Sequence, residues 1–212
     1  MATFEKGILG GFSGLVGTVI GGNWKGIDYM RSKANKRTFT PSQKQLEQQL
    51  KFALIMRFLQ PMSALLKISF HDYAVQKTGV NSAFSYNYKN AITGDFPDFA
   101  IDYSKALVSR GLLPGAAGPA VTPGTGNVLT WSWTDNTGGD AKATDTAILV
   151  AYCEAMRQAI YTTTGGTRSG LTGDLNVSTF AGEVVETYIG FISADGRSVS
   201  VSNFTGQVTL VV

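Results

Sequence analysis

Apolar positions change their spacing three times along the chain. Between residues 7 and 32, glycine recurs at 7, 10, 11, 14, 17, 21, 22 and 26, with Leu15, Val16, Val19, Ile20, Trp24, Ile27, Tyr29 and Met30 between. Gly14 to Ile20, a turn at Gly21-Gly22-Asn23, and Trp24 to Arg31 predict a β-hairpin. Glycine inside a strand gives up packing and marks close approach of another backbone or side chain. The hairpin therefore either packs on the protein's own core or docks on a neighbouring subunit. Period-two spacing then gives way to helical spacing. Thr40 is a candidate cap, Pro41 suits a first helical position, and Gln43 completes a capping box. Leu46, Leu50, Ala53, Leu54 and Phe58 form one apolar stripe, which Pro61 must end or kink near Leu59. Met62, Leu65, Leu66 and Phe70 continue into a second helical segment, and a third is predicted over Asn81 to Ile92.

After turn chemistry at residues 93–97, Phe99 to Leu107 alternates as a strand would. Residues 111–126 hold five Gly and three Pro and read as a linker. From Asn127 onward, short apolar runs alternate with turns: Val128–Trp133, Thr146–Cys153, Gln158–Thr163, Leu171–Val177, Val184–Ser193, Ser198–Ser202 and Gly206–Val212. Strands at this spacing predict an immunoglobulin-like or fibronectin-like sandwich, with Trp131, Tyr152 and Tyr188 as core aromatics. The fold class expected is α+β: a Gly-rich N-terminal β-hairpin plus helices, followed by a C-terminal Ig/fibronectin-like antiparallel β-sandwich. The expected domains are 1–114, a linker at 115–126, and the sandwich at 127–212.

Charge adds an asymmetry. The net charge of +3 is low for 212 residues, but residues 25–57 carry eight Lys or Arg against two acids, leaving −3 for the rest. Arg31, Lys33, Lys36 and Arg37, near Tyr29 and Phe39, form a candidate basic surface that could track phosphates and stack bases. The same asymmetry would suit contacts between basic and acidic parts of neighbouring copies. No run approaches the length of a membrane span, and glycines interrupt any secretory apolar region. Cytoplasmic residence and export by a non-classical route both remain open.

Candidate chemistry is sparse. The one Cys, Cys153, lies in an apolar strand-like run and reads as a buried structural thiol. The one His, His71, sits at a helix end beside Asp72, and no G-x-S-x-G turn accompanies it. One His and one Cys do not make a closed zinc site, and Asp95, Asp98 and Asp102 lack the spacing of a calcium loop. The N-terminal glycines have no following Lys-Ser/Thr pair, as a phosphate loop needs. The expectation is a protein that is not an enzyme, with no cofactor and no metal. A third possibility, a carbohydrate or adhesion module, would need Trp131 or Trp133 exposed, although alternation puts both on one face.

The run Gly7 to Gly14, with Val16-Gly17-Thr18-Val19 and Trp24-Lys25-Gly26-Ile27-Asp28-Tyr29-Met30-Arg31-Ser32, resembles an uncharacterised Bacteroidota family of unknown function. Lys51-Phe52-Ala53-Leu54, residues 85–94, Ile101 to Lys105 and residues 188–196 resemble it too, while residues 33–36 lack the Pro expected there. The resemblance supports the domain plan and implies no activity. Expected, then, is a structural protein, a homo-oligomer or polymer, self-associating through strand or hairpin contacts as a filament, surface or virion component. Its candidate contacts are Leu15, Val16, Val19, Ile20, Trp24, Ile27 and Tyr29. The alternative is a nucleic-acid-associated protein using residues 25–57.

Overall fold

The computed structural model describes residues 3–4, 7, 10–35, 40–74 and 76–211. They fall into two compact units, 1–42 and 43–212. The first is a four-stranded antiparallel meander in sequence order: β1 (Thr3–Phe4), β2 (Phe12–Val16), β3 (Val19–Trp24) and β4 (Ile27–Ser32). Its turns differ from the expected one. The chain reverses at Gly17-Thr18 and Lys25-Gly26, and Gly21-Gly22-Asn23 lies inside β3. Lys25 and Gly26 both have positive φ, 50° and 83°, as a tight primed hairpin turn requires. The mid-strand glycines instead make room for rings. A Cβ on Gly21 would sit 2.6 Å from the Phe12 ring, and one on Gly22 would sit 3.0 Å from that of Tyr29.

The second unit opens with helices. These are α1 (Gln43–Leu59), a 3₁₀ turn at Gln60–Met62 containing Pro61, α2 (Ser63–Ser69) and α3 (Gly79–Asn90). The first begins at Gln43, after the Thr40-Pro41 pair expected to start it. The third is capped by Thr78, whose hydroxyl accepts from the Asn81 amide at 3.1 Å. Phe99 to Leu107 contributes only β6 (Ala100–Ile101), paired with β5 (Ile92–Thr93). After β6 the chain turns, because Asp102 accepts from the Ser104 amide and Ala106 N bonds back to Asp102 O.

The sandwich begins ten residues earlier than expected. Residues 117–123 of the supposed linker form β7 (Ala117–Pro123). Its prolines are tolerated because β7 lies at a sheet edge, where a missing N–H costs no ladder bond. The other strands are β8 (Val128–Thr134), β9 (Thr146–Cys153), β10 (Gln158–Thr162), β11 (Thr172–Asn176), β12 (Val184–Ile192) and β13 (Asn203–Thr209). One sheet has the order β11-β8-β7 and the other β10-β9-β12-β13, all pairs antiparallel. Residues 198–202, expected as a strand, make only isolated bridges.

Two cores flank the four-stranded sheet. Leu149, Ala151, Cys153, Val185, Ile189 and Phe191 face Leu129, Trp131 and Trp133 of the other sheet. Their neighbours Ile148, Val150, Tyr152 and Tyr188 face the helices, against Ile55, Phe58, Leu59, Met62, Leu65, Leu66 and Phe70. This explains why β9 and β12 read as almost continuous apolar runs where a solvated sheet would alternate. Each such large side chain, fully buried, contributes about 1.5–3 kcal/mol. Helices and sandwich therefore form one folded body, with no boundary near residue 115.

The connector from α3 to β7 is stapled by buried serines. Ser202 Oγ accepts from the amides of Val108 and Ser109 at 3.0 and 3.3 Å, and Ser109 Oγ donates to Ser200 O at 2.8 Å. Ser69 Oγ donates to Val108 O at 2.7 Å, tying α2 to the same segment. These hydroxyls satisfy backbone groups that no ladder reaches.

Candidate assembly surface in the N-terminal sheet

Register and alternation sort the first unit's side chains onto two faces. Residues opposite each other across antiparallel strands share a face, so Leu15, Ile20 and Arg31 lie together, as do Trp24 with Ile27 and Gly22 with Tyr29. The other face carries Phe12, Val16, Val19 and Met30, with Asn23 and Asp28 near the turn. The seven expected contact residues thus divide: Leu15, Ile20, Trp24, Ile27 and Tyr29 form one stripe, and Val16 and Val19 point the opposite way.

Both faces are open. Ile27 is 63% exposed, Trp24 48%, Tyr29 47% and Met30 72%; Leu15, Val16 and Val19 are exposed as well, and Ile20 is half-buried. Among the described residues of this unit, Gly21 is the one buried position. A small sheet holds together in water when an apolar face is packed, and here Leu15, Val16, Val19, Trp24, Ile27, Tyr29 and Met30 stay exposed. The turn at its end is well bonded: Asn23 Nδ2 donates to Asp28 Oδ1 at 2.6 Å, and Asn23 Oδ1 accepts from the Gly26 amide at 3.1 Å.

The candidate basic surface is only partly described. Arg31 shares the face of Tyr29, and Lys33 follows β4, both exposed. Lys36 and Arg37 lie outside the described residues. Further along, Lys51 sits 4.6 Å over the Phe99 ring, so its charge is engaged within the second unit.

The remaining candidates resolve as follows. Cys153 is buried in the inner sandwich core. His71 is exposed in a 3₁₀ turn, 3.2 Å from Asp72. Asp102 bonds Lys105 at 2.8 Å and also Ser104, which together hold its carboxyl below the usual range. Among the described residues no group of three His, Cys, Asp or Glu is placed to hold a metal. The exposed-tryptophan module is overturned: Trp131 and Trp133 are both buried, with indole N–H groups bonded to Thr205 Oγ1 and Arg168 O. The helical stretch 43–69 contains an 18-residue window with a mean hydropathy of 1.2, long and apolar enough by composition to cross a membrane, although no apolar run had suggested it. Here its apolar side packs on the sandwich.

Two features escaped sequence reasoning. Arg168 is fully buried, bonded to Asp145, Asn136 and two backbone carbonyls. A cleft of about 260 Å³ is lined by Leu54, Arg57, Tyr103, Tyr152, Glu154 and Arg157 among others. Burial, then the nearby Glu154 carboxylate, pushes the Tyr152 hydroxyl up to about 12. Its residues come from separate stretches, and no spacing along the chain announces them.

A three-stranded sheet packed on a four-stranded one, with strand orders β11-β8-β7 and β10-β9-β12-β13, makes this an immunoglobulin/fibronectin-like sandwich protein with a helical layer added. Within that class, the chain belongs to the family described as "Family of unknown function (DUF6266)", whose model matches residues 11–206. Among solved structures it is similar to the fn3 domain of human collagen alpha-1(XX) chain. The identity is 13% and the TM-score 0.34, over 47% of this chain and 86% of that one. At that score the sandwich assignment rests on the strand order alone. No curated protein matches.

Proposed function

We propose that this is a non-enzymatic structural protein that self-associates through its N-terminal strands, as a component of a filament, surface layer or virion. One observation carries the reading: a meander with large apolar side chains exposed on both faces and, among its described residues, only Gly21 buried. Burying such a surface between copies is the physical route by which it would gain stability, and contacts of that kind build closed or open assemblies according to their symmetry. A Bacteroidota source is supported by the resemblance of residues 7–32, 51–54, 85–94, 101–105 and 188–196 to that family.

The test replaces Leu15 and Ile27 by Glu in the full chain and follows mass by light scattering. The expected result is loss of association with the helix and sandwich signals unchanged. Association undiminished in the double variant would defeat the reading. The alternative, nucleic-acid association, is supported by the exposed Arg31 beside Tyr29. It would instead produce a salt-dependent gel shift that Arg31→Ala weakens.

A further inference from the structure

We propose that β4 is the contact strand, and that two copies of this chain pair β4 with β4 antiparallel about a two-fold axis at Met30. In that register Tyr29 stands opposite Arg31 of the second copy and Asp28 opposite Ser32. The inference rests on the self-association reading and specifies its partner and geometry.

The geometry follows from the hairpin. Trp24 and Ile27 flank the two-residue turn, and the pair closing such a turn is a narrow, hydrogen-bonded one. Narrow and wide pairs alternate along an antiparallel ladder, so Ile27, Tyr29 and Arg31 direct their N–H and C=O groups toward β3. The Lys33 amide donates to Thr18 O at 2.7 Å, which continues the same parity. Asp28, Met30 and Ser32 therefore direct their backbone groups to the other side of β4, where no strand follows among the described residues.

Two identical edges that meet antiparallel keep the same sheet face toward the same side. Opposed residues must then share parity, and their numbers must sum to an even value. A sum of 60 pairs all three outward residues: Asp28 with Ser32, Met30 with Met30, and Ser32 with Asp28. That gives three narrow pairs of two bonds each. Sliding by one step either way, to 58 or 62, leaves one outward residue on each copy without a strand partner. The favoured register also places Tyr29 and Arg31 in wide pairs, where side chains come closest. There the guanidinium can lie on the phenol ring, once on each side of the axis. The edge is thus complementary to itself, and β4 has neither the Pro nor the Lys that commonly blunts exposed edges. Pairing also doubles the apolar stripe on the Tyr29 face into one continuous surface.

Cysteine scanning of the full chain tests this, because native Cys153 is buried and stays silent. Met30 is largely exposed, so Met30→Cys leaves the fold unchanged. Across the axis its Cα atoms would lie about 5.5 Å apart, within disulfide reach. Mild oxidation should convert most of this variant to a covalent dimer. Tyr29→Cys alone should not link, because the two positions lie on a diagonal about 8 Å long. A mixture of Tyr29→Cys and Arg31→Cys chains should link to each other. If chains self-associate by light scattering yet Met30→Cys stays unlinked, or Tyr29→Cys links alone as readily, the register is wrong while self-association stands. A wild-type chain that is monomeric at every concentration overturns both.

Discussion

Arg168→Ala should be the most damaging single substitution in the second unit. The side chain is fully buried. Its Nε donates to Asp145 Oδ2 at 3.1 Å, and Nη1 donates to Asn136 Oδ1 at 2.7 Å and Gly115 O at 3.3 Å. Nη2 donates to Pro114 O at 2.8 Å, and the guanidinium carbon lies 3.9 Å from the Phe191 ring centre. One residue thus joins the segment before β7 to both ends of the β8–β9 loop. Truncation leaves the buried Asp145 with the Lys142 amide as its remaining donor at 2.9 Å, and Asp145 Oδ1 already has no partner. Removing one member of a buried ion pair costs about 3–5 kcal/mol, a large share of the roughly 5–15 kcal/mol that holds a domain folded. At about 2–4 °C per kcal/mol for a unit of this size, Tm should fall by roughly 6–20 °C. Arg168→Lys should recover only part of this, because a point charge cannot fill a four-bond fork. Urea unfolding followed by tryptophan fluorescence suits the case, since Trp133 donates to the Arg168 carbonyl. A loss under about 1 kcal/mol would show that the cluster relaxes or admits water, and would refute the reasoning.

Other outcomes follow from particular residues. Burial raises the Glu186 carboxyl above its ordinary value, with Glu154 adding and the Gln207 hydrogen bond opposing. Its stabilising contribution is then present below the ordinary carboxylate range and lost as pH rises through the raised value. Glu186→Gln should abolish that fall in the urea midpoint between acid and neutral pH. Gly79→Ala would place a Cβ 2.1 Å from Leu66 O, where α3 starts against α2, so it should destabilise the second unit by more than 1 kcal/mol despite alanine's better helix propensity, which is worth only about 1 kcal/mol. Cys153 should resist a thiol reagent in native buffer and react at the rate of global unfolding.

How much was legible in the sequence depended on whether a signal was local. Strand β9 was read with its bounds, because its apolar run ends at polar turns on both sides. Pro61 behaved as a local rule requires, with α1 ending at Leu59, whereas the Thr78 cap went unread and α3 runs Gly79–Asn90 in place of the expected Asn81 to Ile92. Strand β7 was missed because Pro119 and Pro123 look like loop chemistry until the strand is known to be an edge. The Gly21-Gly22 turn was misplaced because these glycines serve the rings of Phe12 and Tyr29, a cross-strand need that neighbouring residues do not reveal. The helices' docking on β9 and β12 was written in the continuous apolar runs, although such runs also suit a strand in a simple sandwich. Of the candidate surface, the residues were named correctly as apolar and strand-borne. Their division between two faces needed the register.

The most direct test of the central claim is mass in solution, by light scattering over a range of concentrations, for the full chain beside residues 43–212. The account predicts a full chain that associates and a shorter one that stays folded and monomeric. The same number of copies per particle for the two, whether both monomeric or both assembled, would contradict it.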